Sequence, residues 1–139
     1  MIDTNNLWQE LMKSPNLDQF LSEHKGNFQT GSVCDLLNQL FQKRRISKAA
    51  LAKQSGMSEV YLHQVFAGRR NPSRNRLLCL CFGLSATLEE AQKLLKQCGF
   101  AQLYPKDRRD AIILYGLSHS MTLFQINDKL FTEKLDTLC

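Results

Sequence analysis

Long apolar runs are missing from this chain of 139 residues. None approaches the roughly 18 residues needed to cross a bilayer, and Met1 to Asn6 shows no positive stretch leading into an apolar one. The expectation is a soluble, cytoplasmic protein with no membrane partner. Alternation of apolar and polar residues with period two is equally scarce, which argues against strands. There is no glycine-rich phosphate loop, no HExxH, no GxSxG and no paired-carboxylate constellation, so neither an enzyme nor a cofactor is expected. The five cysteines are an odd number, and none of Cys34, Cys79, Cys81, Cys98 and Cys139 sits in a CxxC pair or near a histidine at zinc-ligand spacing. A disulfide framework and a metal site are therefore not expected. Cys79 and Cys81, within the run Leu77 to Phe82, read as small buried hydrophobes.

Negative charge is scarce in one place above all. Between Gln42 and Arg76 the chain carries Lys43, Arg44, Arg45, Lys48, Lys53, Arg69, Arg70, Arg74 and Arg76 against Glu59 alone, a local +8. The whole chain sums to +5, so the remainder is −3. A positive block inside a mildly negative molecule is the electrostatic footprint of a protein that holds phosphates.

What is present is helical periodicity and punctuation. Hydrophobic residues make up 43% of the chain, enough to close a core without staples. Leu7, Leu11 and Met12 fit a short helix that Ser14-Pro15-Asn16 breaks. Asn16 caps a second helix bearing Leu17, Phe20 and Leu21, which ends near Gly26, and residues 27–31 read as a connector. Val33, Leu36, Leu37, Leu40 and Phe41 then form one apolar stripe on a helix. Ser47 caps the helix Lys48 to Gln54, Gly56 ends it, and Ser58 caps the helix Glu59 to Phe66, closed by Gly68. Ser73 caps a helix through Phe82. Thr87 and Glu90 form a capping box for Leu88 to Gln97. A helix from about Lys106 to Leu117 presents Ala111, Ile112, Leu114 and Tyr115, and a last one, from about Leu123 to Leu130, presents Ile126 and Leu130.

The segment Lys48 to Val65 carries the functional argument. Two helices crossing steeply through a short turn need a small residue where they approach, and Ala52 fits. The turn needs a residue tolerant of positive φ, which Gly56 supplies. Leu51, Met57, Leu62 and Val65 fall where apolar side chains point back to a core.

This stretch resembles the helix-turn-helix of the lambda-repressor-like, Cro-type or XRE family of bacterial and phage regulators. The resemblance runs from about Ser32 to Phe82 and includes the loop Gly68-Arg69-Arg70-Asn71-Pro72-Ser73. The flanks are similar to those of small firmicute members with extra helices on both sides. The implied fold is all-α: a helix-turn-helix core of about five helices at 32–83, an N-terminal helical extension at 1–31, and a C-terminal helical extension packed on the core at 84–139.

The resemblance further implies that helix Glu59 to Phe66 enters the major groove of double-stranded DNA. Its outward residues Glu59, Val60, Tyr61, His63 and Gln64 are then the candidates for reading bases. Gln64 offers a donor and an acceptor to adenine, and Val60 an apolar contact to thymine. Glu59 either accepts from cytosine N4 or favours the positive end of its helix. Tyr61 either packs or reaches a phosphate, and Phe66 packs. Lys48, Ser58, Arg69, Arg70, Asn71 and Arg74 are the candidate phosphate ligands, with Arg74 and Arg76 alternatively forming a solvated face. The expected function is sequence-specific DNA binding by a transcriptional regulator, acting as a homodimer because one helix reads only a few base pairs. The alternative is a protein-interaction module that reuses the fold. Trp8, Leu11 and Phe20 in front, and Leu123, Phe124, Ile126 and Phe131 behind, supply either a dimer surface or an intramolecular core.

Overall fold

A computed structural model describes residues 4–23 and 32–139. All regular elements among the described residues are α-helices, and the chain divides into two compact units, 1–30 and 31–139. In the first, α1 (Thr4–Lys13) and α2 (Leu17–Glu23) are separated by the Ser14-Pro15-Asn16 break. Asn16 Oδ1 accepts the Gln19 backbone N–H at 3.2 Å, so the expected cap is in place. The expected stop at Gly26 and the connector 27–31 lie outside the described residues.

The second unit runs through α3 (Val33–Gln42), α4 (Lys48–Ser55), α5 (Glu59–Phe66), α6 (Arg74–Gly83), α7 (Leu88–Gln97), α8 (Arg108–Ser118) and α9 (Leu123–Thr132). Side-chain oxygens define where these helices start. Ser32, Ser47, Ser58, Ser73 and Thr87 each accept the backbone N–H three residues on. That satisfies a donor which a helix start otherwise leaves orphaned. One start differs from the sequence-based expectation for this reason, and the start of α9 at Leu123 agrees with it. Asp107 Oδ1 accepts the Asp110 N–H at 2.9 Å, so α8 begins at Arg108 rather than near Lys106. Thr122 and Gln125 form a capping box that holds the first turn of α9.

The core is organised around α6. From Leu77 to Gly83 every residue is buried, the signature of a helix with no solvent face. Cys79 and Cys81 belong to this run, as small buried hydrophobes do. Leu37, Leu51, Leu62, Leu95, Ile113 and Ile126 are fully buried in the same cluster, each worth about 1.5–3 kcal/mol of transfer free energy. α7, α8 and α9 thus complete the hydrophobic core that α3 to α6 begin. Leu123 and Ile126 are engaged there, whereas Phe124 and Phe131 stay exposed. Seven residues apart, those two share one face of α9.

On α8 the buried set is Asp110, Ile113, Gly116 and Leu117, with Tyr115 exposed. The inward face is therefore rotated: it centres on Ile113 and Leu117, with the expected Ile112 and Leu114 half-buried against the core and Tyr115 outside it. Gly116 lies on this face, where a Cβ would lie 2.3 Å from Ile126 Cδ1. Only a glycine lets α9 come this close. A second approach of the same kind positions α4: a Cβ on Gly83 would meet Leu51 Cδ1 at 2.9 Å and Ser55 Cβ at 3.0 Å.

Polar ties join the helices at their ends. Arg44 donates through Nε to the Leu84 carbonyl at 2.8 Å and pairs through Nη2 with Glu90 at 2.5 Å. Partial burial pushes the Glu90 carboxyl up, but the Thr87 N–H and the Arg44 guanidinium outweigh it, leaving the group below the usual carboxylate value. A depressed folded-state pKa contributes stability that is present above the unfolded value and lost as pH falls through the folded one. Glu90→Gln should therefore lessen the acid-induced loss of stability below about pH 4.3, read from urea midpoints measured across that range. Gly83→Ala should destabilise despite the roughly 1 kcal/mol of helix propensity gained. The neighbours at this crossing include the fixed Ser55 Cβ, and overpacking costs about 1–3 kcal/mol; chemical denaturation gives the sign.

Candidate nucleic-acid interface

Between α4 and α5 the chain turns in three residues. Gly56 holds φ +68° and ψ 27°, and the Met57 N–H reaches back to the Ala52 carbonyl at 3.0 Å. This is a left-handed helix end, the conformation that glycine adopts without strain. Ala52 and Leu51 are buried on α4, and Leu62 and Val65 on α5, while Met57 is half-buried at the turn. Phe66 is buried and meets the Phe41 ring edge-on at 5.2 Å. α5 is thus fixed along one side.

Its other side is open. Glu59, Val60 and His63 are exposed, with Val60 at 69% relative accessibility, and Gln64 and Tyr61 are half-buried. Ser58 Oγ accepts the Tyr61 N–H at 3.1 Å, which fixes the first turn. Beyond α5, Gly68 (φ +78°) reverses the chain and the Arg69 N–H returns to the Gln64 carbonyl at 2.9 Å. Arg69, Arg70 and Asn71 then stand exposed in the loop before α6.

Val60, Tyr61, Gln64, Arg70 and Arg76 border a groove of about 810 Å³. Tyr61 organises its cations. The Arg76 guanidinium lies 4.3 Å from the ring centroid and that of Arg70 6.0 Å away, inside the range of cation–π attraction. Both side chains are thereby steered to the same flank of α5. Arg76 is not among the expected phosphate ligands, and from the sequence it reads only as part of a solvated face. The local signal was Ser73, whose cap puts Arg76 in the first turn of α6 facing α5.

Lys48 and Arg74 have other engagements. Lys48 Nζ sits 5.6 Å from the Phe66 ring centroid. Arg74 donates to the Ala101 carbonyl at 2.8 Å and pairs with Asp110 at 3.2 Å. Asp110 also accepts the Tyr104 N–H at 3.0 Å. Arg74 is accordingly a tie between α6 and the start of α8, and this geometry does not aim it at the α5 flank.

Among the described residues no cluster of His, Cys, Asp and Glu is arranged to hold a metal, and no helix is long and apolar enough to cross a membrane.

The family comparison falls on this same region. Residues 35–94 match the family described as a helix-turn-helix domain, a span that runs from α3 into α7. Among the described residues the fold is all-α, and its matched span, which contains α4 and α5, is similar to a helix-turn-helix domain. Neither the curated proteins nor the solved structures contain a match to the chain.

The geometry separates two kinds of arginine. Arg74→Ala should cost about 1–3 kcal/mol, because it leaves the largely buried Asp110 carboxylate without its charged partner. Arg70→Ala, at an exposed site, should stay within about 0.5 kcal/mol of the parent. Urea denaturation of the two variants checks the contrast.

Proposed function

We propose that the protein is a sequence-specific regulator of transcription of the lambda-repressor-like, Cro or XRE kind, which docks α5 in the major groove of duplex DNA. The observation that carries this reading is an eight-residue helix seated by Leu62, Val65 and Phe66 with its opposite flank exposed beside arginines. A major groove about 12 Å wide admits one such helix. A rigid seat lets the outward side chains read base edges at fixed positions.

In this reading Gln64, Val60, His63 and Glu59 meet the bases. Tyr61 lies deeper and seats Arg76 and Arg70, which with Arg69, Asn71 and Ser58 bind one phosphate backbone. Lys48, in the first turn of α4, serves the other. Arg74 stays with Asp110. Glu59 is the one carboxylate on the face, and its place in the first turn also complements the helix dipole. Two copies binding as a homodimer would double the few base pairs that a single helix reads. Such a protein works in the cytoplasm.

Titrating fluorescent duplexes at several salt concentrations tests the proposal. Log affinity should fall linearly with log salt. Gln64→Ala should reduce discrimination at one base position by about 1–3 kcal/mol. Arg70→Ala and Arg76→Ala should each weaken all duplexes alike and lower the salt slope by about one. Absence of duplex binding even at low salt would overturn the proposal and hand the surface to an acidic protein partner.

A further inference from the structure

Segment 133–139 lies outside the helix-turn-helix match, yet it ends against that motif. After α9, Lys134 takes φ +60° and the Leu135 N–H returns to the Leu130 carbonyl at 2.9 Å. Arg109 then grips the main chain, donating to the Asp136 carbonyl at 2.7 Å and the Thr137 carbonyl at 3.2 Å. Asn127 Oδ1 accepts the Leu138 N–H at 2.8 Å, and the Leu138 side chain is buried. These ties leave little freedom for Cys139. Its Sγ accepts from Asn127 Nδ2 at 3.2 Å and stands 3.3 Å from where a Cβ on Gly56 would be.

Cys79 reaches the same spot from α6. Its thiol donates to the Leu138 carbonyl at 3.7 Å, and both cysteines line the groove beside α5. Burial first, and then charge repulsion and a hydrogen bond from the adjacent Cys139, push the Cys79 thiol up to about 12. Cys79 thus lies against the main chain of the residue that precedes Cys139, and the two cysteines face one groove, one exposed and one buried.

We propose that Cys79 and Cys139 are a redox-modification site that closes to an intramolecular disulfide under hydrogen peroxide. The exposed Cys139 sulfur attacks one peroxide oxygen; the O–O bond breaks, the leaving hydroxide takes up the proton given up by the Cys139 thiol and departs as water, and a sulfenic acid remains on Cys139. The Cys79 sulfur then displaces that oxygen, the S–S bond forms, and the Cys79 proton departs with the oxygen as a second water. Two thiols lose two electrons and the peroxide gains them. Cys139 is the attacking group because it is accessible and Cys79 is not. The bridge ties segment 133–139 to α6 beneath the wall of the groove, and so gives the helix-turn-helix surface a covalent clamp.

Brief treatment with dilute hydrogen peroxide, followed by thiol alkylation and non-reducing peptide mass spectrometry, tests this. The result expected is a linked peptide joining Cys79 to Cys139, with Cys34, Cys81 and Cys98 still alkylated. The melting midpoint should rise relative to the reduced protein, since closing a long loop constrains the unfolded chain. Cys139→Ser should abolish both changes; because residue 139 is exposed, this variant tests the pair even if Cys79→Ala folds poorly. Alkylation of all five thiols after treatment would overturn the proposal, as would a bridge involving Cys81 or Cys98, or Cys139 oxidised beyond the sulfenic acid with Cys79 still free.

Discussion

The close approach of α4 to α6 is the constraint on which the rest of the structure depends. Leu51 and Ser55 press on α6 at Gly83, which has no Cβ to hold them off. Ser55 is fully buried there, and its hydroxyl donates to the Leu51 carbonyl at 2.6 Å, so no polar group is left unsatisfied. With α4 seated, the left-handed turn at Gly56 fixes the direction in which α5 departs. Burial of Leu62 and Val65 then fixes its rotation about its own axis. A helix this short would be marginal on its own in water. Packing, rather than propensity, makes α5 a stiff projection with one free side.

The basic block illustrates how a folded structure divides a charge count. Nine cations between Gln42 and Arg76 look equivalent along the chain. In the fold, Arg44 and Arg74 are each partly buried against a carboxylate and several carbonyls. A guanidinium held that way is unavailable to a phosphate without leaving a carboxylate unpaired. The cations placed on the α5 flank are Arg70 and Arg76, and Tyr61 gathers both. The field beside α5 is consequently more focused than the net charge implies.

What could be read from the sequence was what is local. Ser47, Ser58, Ser73 and Thr87 act on a backbone group three residues away, so each helix start was visible in a window of four. Gly56 was legible because a turn at that spacing demands positive φ. The partners of Arg44 and Arg74 are 46 and 36 residues distant, and nothing in a single sequence pairs them. Gly83 and Gly116 were unreadable for another reason: a glycine inside a helical pattern looks like a propensity defect until the opposing helix is seen. Segment 133–139 has no periodicity, and its place comes from Arg109 and Asn127 binding its main chain.

The anchored segment 133–139 adds to the surface beside α5. An irregular segment can be held inward only if its N–H and C=O groups find partners, and here two side chains from α8 and α9 provide them. Leu138 follows into the core, and Cys139 reaches the turn at Gly56. One wall of the groove beside α5 is therefore built from residues far beyond the 35–94 match. The shape of that groove depends also on α8 and α9, whose Arg109 and Asn127 hold Leu138 and Cys139 in place. A change at Arg109 or Asn127 acts on it without touching any residue that faces outward from α5.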